Sequence, residues 1–469
     1  MKLAFWNKKP APQTIESAIA DEAFFADLRQ REFARIDQTG HCYLDFTGGN
    51  LYPQSLLQQH CDYLKSGVYG NPHSGNPTSL LSTKFVHQAR QQVLDYFNAE
   101  DYFCIFTANA SASLQIIGEC YPFDEKSRFL LTADNHNSVN GIREYCKNKK
   151  GSVTYCLLNY EDLHLNKEFL ETELNKDQKE GQKLFAFPAQ SNVSGVKHDL
   201  GWIAYAKSRG WDVLLDAAAF VPSSRLDLKV VQPDFVSVSF YKIFGYPTGL
   251  GCLLVRKDKF DKLRKPWFAG GTVTAVSVQY EGHFLANDHE RFENGTVDYL
   301  GIPAVTFGLN FINSIGIDRI NKRVKALGEY LKNEIEKIVH SNGDAVIKLF
   351  GPSCLDEKGG TFILNFRDID GEVIPFTTIE NLANEQLISI RTGCFCNPGI
   401  DEINNCITND ELGKYFTSRK LGNYYDMISF LGKMRGAIRI SFGMASTQAD
   451  LDRFIEFTKG FRDKKLSDF

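Results

Sequence analysis

Two side chains with complementary chemistry follow short apolar runs in the sequence. Lys242 follows residues 235–240 and is flanked by Tyr241 and further apolar residues, a poor setting for a solvated surface charge. A partly desolvated amine has a lowered pKa and forms imines readily. Asp216 follows the apolar residues 213–215, and a buried carboxylate is costly unless a cation pairs with it. Capping of the next segment is an alternative role for Asp216.

Three further polar residues follow other apolar runs. Ser111 lies in the small-residue segment 107–113, where a helix N-terminus would offer free N–H groups to a phosphate. His136 could stack on a planar ring or move protons. Asn192 could bond a phenolic oxygen through its amide. Taken singly, each of these segments also fits an ordinary helix cap or a polar loop.

The order of these residues is more specific than any one of them. A phosphate-binding loop, a ring-stacking histidine, a carboxylate and a lysine follow one another, with Lys242 placed 26 residues after Asp216. Pyridoxal phosphate (PLP) needs a phosphate cradle, a ring sandwich, a carboxylate for its pyridine nitrogen and an imine-forming lysine. The sequence therefore predicts a PLP site.

The elements that must position this site alternate between strands and helices. We predict strands at 102–106, 129–132, 153–158, 184–188, 212–215, 235–240 and 251–255. We predict helices between them at 112–120, 138–148 and 200–208. This alternation predicts an α/β fold with a mostly parallel sheet of seven strands, whose carboxyl ends carry the ligand.

The chain of 469 residues is too long for one ordinary core. The regular alternation of predicted strands and helices ends near residue 300. Longer helices there surround strand candidates at 361–366, 387–391 and 437–442, which predicts a smaller α+β C-terminal domain. A further strand candidate lies at 42–46. We expect an N-terminal segment over 1–40 that packs with the small domain, a large domain over 41–300 and the small domain over 301–469.

Composition excludes several classes of protein. The formal net charge is −4 without a basic stripe, so nucleic acid is not an expected partner. No apolar run reaches the roughly 20 residues of a membrane span, and the apolar stretch at 3–6 is too short for a signal peptide. We expect a cytoplasmic protein with no membrane partner. The 11 scattered cysteines, an odd number, argue for free thiols, and Cys394 and Cys396 alone do not predict a metal site.

At this point the sequence resembles the class V aminotransferase family, whose members are PLP enzymes of fold type I. Within that family it is most similar to the NifS-like cysteine desulfurase domain of the molybdenum cofactor sulfurases. The resemblance is carried by the segments 134–139, 237–251, 270–273, 292–296, 391–399 and 439–443. Of these, Arg391-Thr392-Gly393-Cys394-Phe395-Cys396-Asn397-Pro398-Gly399 is the most specific.

The resemblance implies a role for each matching residue in binding PLP. Lys242 would hold the cofactor through an imine, Asp216 would pair with the pyridine nitrogen, and His136 would stack on the ring. The remaining cofactor-binding residues would be Asn192 at the phenolic oxygen and Ala110, Ser111, Ser239 and Thr296 at the phosphate. Thr296 would reach the phosphate of a neighbouring subunit, which implies a homodimer.

The resemblance also implies a reaction. Arg439 would grip the carboxylate of an amino-acid substrate, expected to be L-cysteine. Cys396 would take the substrate sulfur as a persulfide, with alanine as the second product. Catalytic roles then fall to Lys242, Cys396 and His136. Arg391 would supply a positive charge beside the thiolate, although a structural ion pair fits it equally well.

The sequence departs from the resemblance in four places. The sulfurases carry a further C-terminal domain, which we expect this chain to lack, so direct sulfuration of the molybdenum cofactor would need a partner protein in its place. A sulfur-acceptor protein is a further expected partner. Residues 400–406 differ from the sulfurase pattern. Ala219 and Tyr241 stand where many cysteine desulfurases have Gln and His.

Two other functions remain open from the sequence. The first is an aminotransferase, lyase or epimerase of the same family that acts on another amino acid without a persulfide. The second is a non-catalytic binding protein with the same fold, against which the joint presence of Lys242, Asp216 and His136 argues.

Overall fold

The structure is a computed structural model that describes residues 16–176, 180–433 and 435–469. The described chain begins with two helices, a short strand and two further helices. Their bounds are α1 (Glu16–Glu32), α2 (Arg35–Gln38), β1 (Cys42–Tyr43), α3 (Gln54–Ser66) and α4 (Pro77–Tyr96). The start of α4 follows ordinary capping rules, because Asn76 accepts a hydrogen bond from Ser79 N and Pro77 occupies the first turn.

A seven-stranded sheet forms the centre of the larger part of the chain. Its strands are β2 (Tyr102–Thr107), β3 (Arg128–Thr132), β4 (Ser152–Cys156), β5 (Lys183–Pro188), β6 (Asp212–Asp216), β7 (Phe235–Ser239) and β8 (Gly251–Arg256). The spatial order is β2-β8-β7-β6-β5-β3-β4. Only β8 runs antiparallel to its neighbours. The predicted α/β fold with a mostly parallel seven-stranded sheet is confirmed.

Helices connect these strands and cover both faces of the sheet. They are α5 (Ala110–Cys120), α6 (Asn137–Asn140), α7 (Ile142–Asn148), α8 (Lys167–Asn175), α9 (Gly201–Lys207) and α10 (Phe240–Phe244). Every residue of β6 is buried, as expected for a parallel strand covered on both faces. The predicted helix at 138–148 is two helices that meet at Gly141.

A hairpin and a second, smaller sheet complete the fold. The hairpin is β9 (Val273–Val276) and β10 (His283–Leu285), and it is followed by helices α11 (Pro303–Ile315) and α12 (Ile317–Ile335). The small sheet contains β11 (Ile347–Phe350), β12 (Thr361–Phe366), β14 (Arg391–Gly393) and β15 (Ala437–Ser441), all antiparallel. The other elements of this part are α13 (Phe376–Glu385), β13 (Ile388–Ser389), α14 (Pro398–Asn404), α15 (Asn409–Thr417), α16 (Tyr424–Leu431) and α17 (Gln448–Lys459).

Two predicted strands are shorter than the sequence indicates. The run 387–391 is divided, because β13 pairs with β1 whereas β14 pairs with β15, so the chain changes partners at Ile390. The run 42–46 is a strand only at β1, and Asp45 forms a single bridge to Ser441 instead. These short pairings bring Asp45, β14 and β15 together beside the large sheet.

The N-terminal helix contacts the helices that follow the large sheet. Arg29 in α1 donates hydrogen bonds to Asp450 in α17, and Asp21 accepts hydrogen bonds from Arg319 in α12. The apolar residues of α12 recur at helical spacing and are buried, which explains why this long helix forms. The part of the expected N-terminal segment before residue 16 lies outside the described residues. Among the described residues, no helix is long and apolar enough to span a membrane.

Candidate functional site

A cavity of about 380 Å³ lies beyond the carboxyl ends of β3, β5, β6 and β7. In an open parallel sheet this edge is where ligands bind. The fold brings all of the predicted cofactor residues except Thr296 to this cavity. They are Ala110, Ser111, His136, Asn192, Asp216, Ser239 and Lys242.

Asp216 lies at the end of β6 with one carboxylate oxygen fixed. Ala218 N and Ser237 Oγ both donate to Oδ1, at 3.1 and 3.0 Å. No described residue donates to Oδ2, although Asp216 is buried. A buried carboxylate with an open oxygen in a cavity is suited to a protonated ring nitrogen, since a buried charge needs a partner.

Lys242 projects into the same cavity from α10, a short helix directly after β7. Burial lowers the pKa of its amine, and the nearby Asp216 carboxylate opposes this only in part. The helix ends at Gly245, where φ is +82° and a Cβ would lie 2.3 Å from Tyr52 N. A residue other than glycine would therefore displace the turn that carries Lys242.

The N-terminus of α5 forms the opposite end of the cavity. Asn109 caps this helix by accepting a hydrogen bond from Ala112 N. Ala110 N donates to Ser239 Oγ at 3.0 Å, and Ser111 Oγ lies 2.6 Å from Ser138 Oγ. Hydroxyl groups and backbone N–H groups at a helix N-terminus suit the binding of a phosphate.

His136 lines the cavity between these two ends. Ser138 N donates to His136 Nδ1 at 3.2 Å, so Nδ1 is the unprotonated nitrogen of the neutral ring. Burial, together with the charge of Lys242, lowers the pKa of the imidazole. The ring is therefore neutral near pH 7, which suits packing against a flat aromatic ligand.

The donor set of the cavity fits PLP. It offers a helix N-terminus with hydroxyl groups for the phosphate, an open carboxylate oxygen for the pyridine nitrogen and a desolvated amine for the aldehyde carbon. Asn109, Ser138, Gln190 and Thr248 also line the cavity but were not among the predicted site residues. Their signal in the sequence was their position next to predicted residues in the same polar loops.

Cys396 lies on a tight turn at the edge of this site. Asn397 N donates to Cys394 O at 2.9 Å, and φ is +57° at Phe395 and +54° at Cys396. Positive φ at two central residues is the pattern of a type I′ turn, normally occupied by Asn and Gly. The turn exposes Cys396, and Asn137 N donates to Cys396 O at 2.7 Å. The backbone of the predicted nucleophile is thus hydrogen-bonded to Asn137, the residue after His136.

Helix α14, which follows the turn, packs closely against Ala133 at the end of strand β3. A Cβ at Gly399 would lie 1.9 Å from Ala133 O, so only glycine allows this approach. Burial raises the pKa of the neighbouring Cys394 thiol. At neutral pH this leaves Cys394 protonated and a poorer nucleophile than an ordinary thiol.

The two predicted substrate-binding arginines share one carboxylate. Arg439 Nη2 donates to Asp45 Oδ1 at 2.6 Å, and Arg391 Nε and Nη2 donate to Asp45 Oδ2. Arg439 Nη1 also donates to Asn192 O, which ties this arginine to the cavity. Asp45 was not among the predicted site residues. Its only signal was a carboxylate at a strand end before Gly48.

Thr296 is the one predicted cofactor residue that the fold places elsewhere. It is exposed, and its hydroxyl accepts a hydrogen bond from Asn71 Nδ2 at 3.2 Å. It does not line the cavity of the same chain. A second subunit is therefore required if Thr296 contacts a cofactor phosphate.

The comparisons with known proteins agree with this geometry. The family model described as "Aminotransferase class-V" matches residues 42–454, which is most of the chain. The chain belongs to the class V aminotransferase family. It is a PLP-dependent enzyme of this family, and the predicted cofactor is confirmed.

Curated relatives with similar sequences include molybdenum cofactor sulfurases. The chain is 37% identical to the one from Solanum lycopersicum, over 92% of this chain and 56% of the relative. It is 36% identical to the one from Homo sapiens, over 92% of this chain and 50% of the relative. The chain thus spans about half the length of these relatives.

Solved structures with the same fold include two cysteine desulfurases. The apo enzyme from Thermococcus onnurineus NA1 superimposes with a TM-score of 0.77 at 22% identity, over 93% of this chain and 97% of that one. The cysteine desulfurase CsdA from Escherichia coli has a TM-score of 0.73 at 19% identity, over 93% and 98%. The chain therefore has the architecture predicted for PLP enzymes of fold type I.

Proposed function

We propose that this enzyme removes sulfur from L-cysteine, holds it as a persulfide on Cys396 and releases alanine. The observation that carries the proposal is the position of Cys396. Its thiol is exposed on a turn whose backbone is hydrogen-bonded to Asn137, the residue after His136. A cysteine that served only as a small buried hydrophobe would not need this exposure.

The relatives support the same reaction. The similar sequences are named molybdenum cofactor sulfurases, and the similar structures are named cysteine desulfurases. The segment 391–399, which carries Cys396, is the most specific part of the sequence resemblance. A sulfur-transfer function accounts for that segment, whereas transamination or epimerisation leaves Cys396 without a role.

In this proposal PLP is held by the residues that line the cavity. Lys242 binds its aldehyde carbon, Asp216 its ring nitrogen, His136 its ring face and Asn192 its phenolic oxygen. Ala110, Ser111 and Ser239 bind the phosphate. The cofactor, when bound, supplies an electron sink for bonds at the substrate Cα.

The chain's own residues perform the remaining tasks. Arg439 orients the substrate carboxylate, and two of its five N–H donors are used by Asp45 and Asn192. The Lys242 amine, whose pKa is lowered by burial, accepts the proton that leaves Cα. The Cys396 thiolate attacks the substrate sulfur, an S–S bond forms, and the C–S bond breaks towards carbon. A proton added to that carbon, and return of the proton held by Lys242 to Cα, complete alanine.

We further propose that the enzyme is a homodimer and passes sulfur to an acceptor protein. Thr296 of one subunit would then reach the phosphate site of the other. The β9–β10 hairpin and its turn expose Val278, Tyr280 and Phe284, at 92%, 86% and 73% of their surface. Three large apolar side chains exposed within one hairpin favour a protein–protein interface there.

The test of the proposed function is turnover of L-cysteine in the presence of a thiol reductant. We expect alanine and sulfide in equal amounts, and loss of both in Cys396→Ala. Cys406→Ala removes another exposed thiol of the same region and serves as the matched control, with normal turnover. Normal turnover by Cys396→Ala, or a response only to another amino acid, would contradict the persulfide reaction and favour the alternative PLP chemistries.

A further inference from the structure

The Cys396 turn is held in an unfavourable backbone conformation by contacts with the cofactor cavity. Phe395 and Cys396 both have positive φ, which disfavours any residue with a Cβ. Such a conformation persists only when surrounding contacts enforce it. Three hydrogen bonds do so: Asn137 N donates to Cys396 O, Asn192 Nδ2 donates to Phe395 O at 3.0 Å, and Asn397 Nδ2 donates to Asp134 O at 2.6 Å.

Asn397 lies at the centre of this arrangement. Its side chain is completely buried between the turn and the ends of the large-sheet strands. Besides Asp134 O, its Nδ2 donates to Asn192 Oδ1 at 3.0 Å. Its two N–H donors therefore join the Asp134 carbonyl to the side chain of Asn192. Asn192 lines the cavity, as does His136, two residues after Asp134.

This contact determines which way the Asn192 amide faces. An amide has one accepting atom and one atom with two donors. Because Asn397 donates to Asn192, the atom that faces Asn397 must be Oδ1. Nδ2 of Asn192 must then face Phe395 O, and its second hydrogen remains for the cavity. Without Asn397 only the hydrogen bond from Nδ2 to Phe395 O would hold the Asn192 amide in this orientation, and its Oδ1 would lose its donor.

We propose that Asn397 is a positioning residue that joins the nucleophile turn to the phenolic oxygen of the cofactor through Asn192. The inference rests on the proposed function for the identity of the nucleophile, but it goes beyond that function. One amide then serves the cofactor and the turn at the same time. The position of the Cys396 turn and the hydrogen bond to the phenolic oxygen of the cofactor are consequently coupled. A correctly oriented cofactor therefore favours the turn that is hydrogen-bonded to the cavity.

The test uses the purified holoenzyme and two readouts that do not depend on turnover. The first is the pH midpoint of the visible absorption band of bound PLP. The second is hydrogen–deuterium exchange of the peptide that covers residues 391–400. In Asn397→Ala we expect the midpoint to rise by about half to one pH unit, because a phenolic oxygen that loses a donated hydrogen bond holds the neighbouring proton more tightly. We expect exchange in the peptide to be about tenfold faster.

Two further variants separate coupling from general loosening of the turn. Asn137→Pro removes the N–H that holds Cys396 O, at a first helical position where proline is tolerated. It should accelerate exchange but shift the midpoint by clearly less than Asn397→Ala, because Asn397 still donates to Asn192. Asn405→Ala is the matched control at the end of α14, because among the described residues the Asn405 amide donates hydrogen bonds only to Asp401 on its own helix. It should change neither readout.

Two results would overturn the proposal. One is a pH midpoint equal to that of the wild-type enzyme in an Asn397→Ala variant whose circular dichroism spectrum shows that it is folded. The other is a midpoint shift of equal size in Asn137→Pro. If Asn397→Ala does not fold, the midpoint is measured in Asn397→Ser, which keeps one donor and should give a smaller shift of the same sign. Failure of the desulfurase function appears separately, as absent alanine with these two readouts unaffected.

Discussion

Asp45 accepts hydrogen bonds from two arginines that come from different strands of the small sheet, and its substitution has effects of opposite sign on stability and on ligand binding. Asp45→Asn keeps the size of the side chain but removes the negative charge. Arg439, which is 3% exposed, would then be a buried cation without a counterion. Arg391 would lose its partner while half of its side chain remains in water.

The size of the effect follows from the burial of each pair. The Arg439–Asp45 hydrogen bond joins two buried charged groups and stabilises the fold by about 1.5–3 kcal/mol. The Arg391 pair is half-exposed and contributes about 0–1 kcal/mol. The amide oxygen of the substituted side chain would retain part of one bond. We therefore expect Asp45→Asn to lower the free energy of unfolding by about 2–3 kcal/mol, which is a factor of roughly 30–150 in the folded-to-unfolded ratio.

The same substitution leaves two arginines free for a ligand carboxylate. We expect L-alanine, the proposed product, to raise the thermal midpoint more in Asp45→Asn than in the wild-type enzyme, since its carboxylate now supplies the missing counterion. The assay is urea unfolding and thermal unfolding followed by circular dichroism, at a fixed PLP concentration, with and without L-alanine.

Asp318→Asn provides the matched control. Asp318 pairs with Arg225, but both side chains are exposed, so the change should stay within about 0.5 kcal/mol. A wild-type free energy of unfolding in Asp45→Asn would refute the reasoning. So would an effect of L-alanine no larger than that in the wild-type enzyme, because Arg439 would then not be the carboxylate-binding group.

Three further predictions concern other parts of the molecule. Lys242→Ala should abolish the visible absorption of bound PLP and the covalent label left by borohydride reduction, whereas retention of either would exclude Lys242 as the imine-forming lysine. Burial lowers the pKa of Lys358 to about 7, so the unfolded chain binds more protons between about pH 7 and pH 10. The stability cost of this amine is therefore full at and below pH 7 and fades towards pH 10. Lys358→Met should raise the thermal midpoint at pH 7 but not above about pH 10.5, where the unfolded amine is also neutral, and an equal gain at both pH values would contradict the shift. Tyr280→Asp should convert the proposed dimer into monomers in analytical ultracentrifugation, whereas Leu421→Asp, on a different surface and 90% exposed, should not. An unchanged dimer in Tyr280→Asp would place the interface elsewhere.

Most of the large sheet could be predicted because its strands are continuously buried apolar runs. The run at β6 is followed directly by Asp216, and in a parallel sheet the residue after each strand lies at the ligand-binding edge. Lys242 and His136 follow the same rule. The order of strand ends along the chain was therefore enough to predict which residues meet around the cavity.

The residues that the sequence did not reveal depend on contacts between distant segments. Asp45 is 346 residues from Arg391 and 394 from Arg439, and nothing in its own neighbourhood predicts two arginines. Asn397 was visible only as part of a motif, because its role requires the position of Asn192. The division of residues 387–391 between two sheets was missed for the same reason, since each half pairs with a segment far away along the chain.

The central claim, that Cys396 receives the substrate sulfur, is tested most directly by mass spectrometry of the holoenzyme after treatment with L-cysteine in the absence of reductant. We predict one additional sulfur on the peptide that contains Cys396, its removal by a thiol reductant, and no addition to the peptide that contains Cys406. Release of alanine with the Cys396 peptide at its unmodified mass would contradict it.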